Sequence, residues 1–373
     1  MRGAFMKKSS LKLLVVLSLF LSASTYAGLF KISNRSYGDL DADNPAEALF
    51  IELIDTGFDT LEADINSKLP NTESSKYLDG MSNASLMAAK GLGVDYSSDM
   101  DIFVIGGGAG VGVDLGDNGF GDVVSGKIDL TQAAGAGIMA SLMLGFNLSA
   151  IPGVTLPKIW FVDLEKINVF INYFGYTVSQ SGITGKVNHF GLHAQYQLIE
   201  GKKFLPFRMA RWGGVRVTSG YEYGSMKLIY ARDIEESVPI DFGGAGSSEV
   251  TYDGTVQIGA EGSMHSIPIE VTTDFQWLYL FTTYVGLGTD ITVGSAKSIA
   301  NTTGDVSVPV PTHDPATAVA SLDVGDEGGP NLLTFRGFVG QQFNFSILKI
   351  GLQLDHSFGT GAWGANVMAK ITW

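Results

Sequence analysis

The sequence predicts an all-β protein: a transmembrane antiparallel β-barrel of roughly twelve strands, in a range of about ten to fourteen, behind an N-terminal α-helical segment. Three observations carry this. From about residue 100 onward, apolar and polar residues alternate with period two in segments of ~10 residues, longer than the ~5–6 of ordinary globular strands. Charged residues make up only 17% of the chain, while Gly reaches 48 of 373 and aromatics 11%, a balance unlike that of soluble enzymes. The chain also ends on an alternating stretch whose last residue is Trp373.

The first residues read as a signal peptide. Arg2, Lys7, Lys8 and Lys12 precede the apolar run "LLVVLSLFLSA", and small residues at Thr25 and Ala27 place cleavage after Ala27. With 0 Cys, a disulfide framework, a thiolate metal site and a Cys nucleophile are excluded. A net charge of -14 excludes nucleic acid as a partner, because a polyanion needs a basic footprint.

Residues 28–95 form the helical segment, expected to plug the lumen. "Asn44-Pro45-Ala46-Glu47" supplies an N-cap, a proline at the first helical position and an acid at the third. Leu49, Phe50, Leu53, Ile54, Leu61 and Ile65 then recur at helical spacing, opposite Glu52, Asp55, Asp59 and Glu62. A shorter helical stretch is expected near 82–90.

Residues 96–373 carry the strand pattern. Ile167, Val169, Ile171 and Tyr173 share one face, Asn168 and Asn172 the other. Phe190, Leu192 and Ala194 oppose His189, His193 and Gln195. In "IPIEVTTDFQWLY" Glu270 and Asp274 lie on the polar face, and in "ILKIGLQLDHSF" Lys349 and Asp355 oppose Leu348, Ile350, Leu352 and Leu354. In a barrel these polar residues line the lumen and set selectivity, with a mild preference for cations or neutral solutes. Strand centres are expected near Ala109, Leu142, Ile171, Ala194, Val217, Leu228, Val256, Phe275, Leu287, Val339, Leu352 and Val367. Residues 231–249 and 295–331, rich in Gly, Pro, Ser, Thr and acids, read as long extracellular loops, with both termini in the periplasm.

"AWGANVMAKITW" alternates throughout, with Trp363, Ala365, Val367, Ala369, Ile371 and Trp373 on one face. Here the chain resembles bacterial outer-membrane β-barrel proteins of the porin-like superfamily. The resemblance implies an outer-membrane location, lipids as surroundings, and Ile371 and Trp373 as the signal read by the barrel-assembly machinery. The helical segment ahead of the barrel is similar to the hatch-bearing fatty-acid transporter (FadL) type.

The stretch "DIFVIGGGAGVGVDLGD" invites a dinucleotide reading, which its spacing rejects. A fingerprint needs Gly at relative positions 1, 3 and 6, and from Gly106, Gly108 and Gly110 the sixth place is Val111, Val113 and Leu115. The glycines Gly106, Gly108, Gly110 and Gly112 instead alternate, leaving one strand face bare and able to receive the helix bearing Leu49, Phe50, Leu53 and Ile54. His189 and His193 stand about 13 Å apart along a strand, too far for one metal by themselves. The acidic stretches at Asp114–Asp117 and Asp323–Glu327 lack calcium-loop spacing. No cofactor, metal set or catalytic residues are expected, and the chain is not expected to be an enzyme. The leading function is a porin-like channel or passive transporter of small solutes. The alternative is a surface-exposed interaction or adhesion protein on a closed barrel, and a barrel enzyme comes last.

N-terminal sequencing of the exported protein is expected to read from Gly28. An unboiled sample is expected to migrate differently from a boiled one on a denaturing gel. Identical mobility would contradict a barrel.

Overall fold

Ten antiparallel strands close into a ring. The computed structural model describes residues 29–68, 74–97, 100–116, 135–150, 157–160, 162–204, 210–323 and 327–373. The cleavage region, the stretch 117–134 and most of the acidic run near Asp323 lie outside them. In chain order the elements are β1 (Leu29–Ser36), α1 (Pro45–Lys68), α2 (Ser74–Ala89), β2 (Phe103–Asp114), β3 (Gly135–Asn147), β4 (Ile167–Gln180), β5 (Ile183–Lys203), β6 (Ala210–Asp241), β7 (Ser247–Trp277), β8 (Phe281–Val308), β9 (Ala316–Asp323), β10 (Leu333–Phe345), β11 (Leu348–Ser357) and β12 (Trp363–Thr372). Strands β2 to β8 pair in sequence, followed by β10, β11 and β12, and β12 returns to β2 with Val367 opposite Ala109. The ring closes at its base where Trp373 accepts from Phe103 N–H at 3.0 Å and donates back to the Phe103 carbonyl at 2.9 Å.

Ten strands arise from twelve expected centres for a plain reason. Val217 and Leu228 lie on one 32-residue strand, β6, and Val256 and Phe275 on one 31-residue strand, β7. The presumed loop 231–249 is largely the paired upper part of that hairpin, with Pro239 opposite Glu249 and a tip at Gly243–Gly246. Likewise 295–308 continues β8, and 316–323 is the strand β9. Pro, Gly and acids there read as loop, but Ile234, Val238, Ile240 and Phe242 alternate and pack against one core.

That core lies beyond the ring. The upper part of β8 pairs with β9, and β9 pairs with β1, Ile32 opposite Ala320. Helix α1 covers this extension with Ile54, Phe58, Leu61 and Ile65, all buried against Phe30, Ile240, Val250, Tyr252 and Val306. Its start is capped by Asn44, whose Oδ1 accepts from Ala46 N–H at 3.1 Å while Glu47 Oε2 accepts from Asp41 N–H at 2.7 Å. Arg35 spans Asp55 at 2.8 Å and Asp59 at 2.6 Å, above the Phe58 ring.

The expected plug is therefore corrected. Leu49 is 55% exposed, and Phe50, Leu53 and Ile54 belong to the core of the extension, not to the lumen. The apolar stripe of α1 needed a dry partner, and the alternating face of the long hairpin provides one. β1 also sits at the end of the barrel opposite Trp373, so the first and last described residues do not share a side.

The ring's exterior is apolar. Leu142, Ile171, Leu192, Val271, Leu287, Leu354 and Val367 all point outward and are exposed. On β7 the band from Trp277 to His265 spans about 30 Å at the usual strand rise and tilt, matching an apolar belt with its aromatic girdles. The lower girdle includes Trp277 stacked on Phe281 at 4.6 Å. The tight turns Leu278–Leu280 and Ser346–Ile347 lie at one end of the barrel and the β6–β8 extension at the other, the ends that the short-turn rule for outer-membrane barrels calls periplasmic and extracellular.

Phe58→Ala is expected to cost the extension about 3–5 kcal/mol. Limited proteolysis would then cut α1 earlier than in wild type, while the heat-modified gel shift of the ring stays unchanged.

Candidate functional site

The lumen is occupied by α2 and the residues that follow it. Glycines on the wall let the helix approach closely. A Cβ on Gly112 would overlap the Ala84 carbonyl, one on Gly110 the Ala88 carbonyl, and one on Gly137 the Ser85 backbone. Gly108 meets Leu92, and Gly106 lies against Lys370. The helix ends as helices often do, with a left-handed glycine, Gly91 at φ +76°. The chain then runs down the lumen through Leu92, Val94 and Tyr96, and Ile102 N–H reaches the Trp373 carbonyl at the periplasmic rim.

Around this segment the inward wall residues are charged, buried and paired. Lys90 Nζ lies 2.6 Å from both Glu222 and Asp290. Arg336 takes Asp290 at 2.9 Å, Asp355 at 3.1 Å and Glu270, and stacks over Phe338. The Tyr96 hydroxyl donates to Glu270 at 2.7 Å. Lys370 holds Asp95 at 2.5 Å. Arg216 bridges Asp274 and, at 2.6 Å, the Tyr96 carbonyl. At the centre two cations face four carboxylates, all with little or no exposure. Buried charges hold together only when paired and hydrogen-bonded, and here plug and wall each supply what the other lacks. His193 lies 3.7 Å from Glu222, and Asn172 contacts His189 Nδ1 at 3.4 Å.

The polar faces read from the sequence point inward. Asn172, His189, His193, Gln195, Glu270, Asp274, Lys349 and Asp355 are buried in the lumen, and Asn168 is half-buried at its periplasmic mouth, 3.4 Å from Gln195. Ile371 and Trp373 are exposed on the outside of the closing strand. The structure adds Lys90, Asp95, Tyr96, Arg216, Glu222, Asp290, Arg336 and Lys370. The wall residues among them had a signal. Thr334, Arg336 and Phe338 alternate like any inward face, as do Asp290 and Thr292. The plug residues follow no strand or helix period, and only their partners reveal them. Among the described residues no group of three or more His, Asp and Glu forms a metal site.

At the periplasmic end two clefts flank the descending chain. One, of about 370 Å³, is lined by Gln276, Tyr279, Asn344, Lys349 and Trp373. The other, of about 230 Å³, is lined by Asp95, Asn168, Gln197, Arg211 and Arg216.

A ring with an apolar outer belt, a polar interior and a charged internal segment defines a plugged outer-membrane β-barrel. The chain belongs to the family described as Lsa36-like, which matches residues 43–373. No curated protein matches the sequence. Among solved structures, the transport unit of the autotransporter AIDA-I from Escherichia coli resembles it at 7% identity and a TM-score of 0.30, covering 77% of this chain and 95% of that one. LpxR from Salmonella typhimurium does so at 12% and 0.23, covering 72% and 100%. A Pseudomonas aeruginosa FadL homologue does so at 8% and 0.23, covering 79% and 99%. At these scores the resemblances add no weight to the fold described above.

Arg336→Ala is expected to leave Glu270, Asp290 and Asp355 short of their shared cation and to cost about 3–5 kcal/mol. A thermal melt in detergent would register this as a clear drop. Gly112→Val should force α2 from the wall, and protease protection of residues 74–97 should fall.

Proposed function

We propose that this protein is a surface-displayed interaction protein: a closed barrel that anchors a folded extracellular module. One observation carries the reading. Strands β6, β7 and β8 continue past the apolar belt and, with β1, β9 and α1, bury a second hydrophobic core outside it. A pore would gain nothing from such a core, whereas a binding surface needs rigid support. The module's exposed faces are acidic. Asp233, Glu235, Asp253 and Asp305 lie on the sheet face away from α1, and Glu52 and Asp59 on α1 itself. A basic partner surface fits them by charge.

Passage of a small solute is the second reading, favoured by the polar lumen and the two periplasmic clefts. It requires residues 90–97 to leave their partners. The lumen lining Asn172, His193 and Glu270 would then meet the solute.

Planar bilayers separate the two. The intact protein is expected to give no steady conductance, and Gly112→Val to introduce it. Steady steps from the intact protein would overturn the closed-barrel reading. An epitope inserted at the Gly243–Gly246 tip, where the glycines face open space, is expected to bind antibody on intact cells.

A further inference from the structure

The barrel exterior changes character abruptly at one height on four adjacent strands. Cross-strand register places the residues in level rows. Phe190 faces Tyr223, Tyr223 faces His265, and His265 faces Val293. This row closes the apolar belt on the extracellular side, with Tyr223 and His265 rings 5.0 Å apart and the Tyr221 hydroxyl 2.6 Å from His265 Nδ1. Two residues higher the row reads Asn188, Ser225, Ser263 and Ser295, and Asn188 Nδ2 donates to Ser225 at 3.0 Å. Two residues higher again it reads Lys186, Lys227, Glu261 and Lys297. The inward neighbours Met226, Gly262 and Ala296 face α2, which fixes these rows on the outer surface.

We propose that these rows form a seat for the phosphorylated sugar headgroup of a lipid in the extracellular leaflet. Three lysines at one level stand out in a chain with a net charge of -14. Glu261 holds Lys227 at 2.9 Å, and Glu327 holds Lys297 at 2.8 Å. Lys186 is exposed and has no ion-pair partner among the described residues. The basic row sits where lipid headgroups begin, directly above the aromatic girdle. Lysine there attracts an anionic headgroup and stays in water while its stem covers apolar wall. From Lys186 to Lys297 the row spans three strand spacings, about 14 Å. That is broader than one phosphate and fits phosphate carried on sugar. The Asn–Ser row supplies neutral donors and acceptors for the sugar hydroxyls. A cleft of about 380 Å³, lined by Lys186, Asn188, Ser225, Lys227, Ser263 and Lys297 among others, opens across both rows.

The test uses the full chain reconstituted in phosphatidylcholine vesicles that contain lipid A, a phosphorylated disaccharide lipid, or phosphatidylglycerol in its place. After extraction, native mass spectrometry counts the lipid retained per barrel. Wild type is expected to retain lipid A in preference to phosphatidylglycerol. Lys186→Gln/Lys227→Gln/Lys297→Gln is expected to retain about tenfold less lipid A. Lys202→Gln/Lys203→Gln, at the periplasmic end, should retain as much as wild type. Lys186→Gln alone breaks no ion pair and should lose part of the lipid with its gel shift intact, so a folding failure of the triple variant would not decide the matter. Equal retention by wild type and the Lys186 variant would overturn the proposal. So would equal retention of the two lipids, or displacement of lipid A by millimolar inorganic phosphate.

Discussion

A charged side chain enclosed inside a barrel wall has little water to turn to, and this structure is organised by that demand. The belt of lipid-facing residues obliges alternate positions to point inward. In this chain the inward positions include Glu222, Glu270, Asp290, Arg336 and Asp355. The wall cation among them, Arg336, cannot satisfy all four carboxylates. Lys90, delivered from outside the wall's sequence, completes the set. The plug is thus one half of an electrostatic unit whose other half is spread over β6, β7, β8, β10 and β11.

Close approach and pairing depend on each other. The bare faces at Gly110, Gly112 and Gly137 bring α2 near enough for Lys90 and Tyr96 to reach their partners. The left-handed turn at Gly91 redirects the chain so that Asp95 meets Lys370 on the closing strand. A side chain added to the wall and a charge removed from the centre should therefore disturb the same residues.

The barrel itself was legible in the sequence because a strand in a membrane wall must alternate, and Leu348 to Asp355 do so without interruption, as do Trp363 to Trp373 but for Met368. The lumen side of Asn172, His193 and Asp274 followed from the same rule. The ring's ten strands fall within the expected ten to fourteen, but the exact number did not follow, because alternation marks faces and carries no information on where a long strand crosses the edge of the lipid. Val217 and Leu228 look like two strands for that reason. The identity of the plug was missed for a different one. The amphipathic helix with the stronger cap, α1, had an obvious need for burial but not an address. The true occupant, α2, carries small residues such as Ala84, Ser85 and Ala88, whose value lies in fitting against glycine. Lys90, Asp95 and Tyr96 obey no period at all, and their roles exist only across hundreds of residues of separation.

The path of the chain has a consequence for how this molecule is built. β1 and α1 end up in the extension at one end of the ring, yet β2 begins beside Trp373 at the opposite rim. Residues 74–97, which lie between them in sequence, run through the ring. The polypeptide is threaded through its own lumen. The seam between β2 and β12 must therefore be sealed around a helical segment of the same chain, or the first module must be drawn through before the ring is complete. Either way, β1 waits for β9, a partner some 290 positions later, before the exterior half can exist.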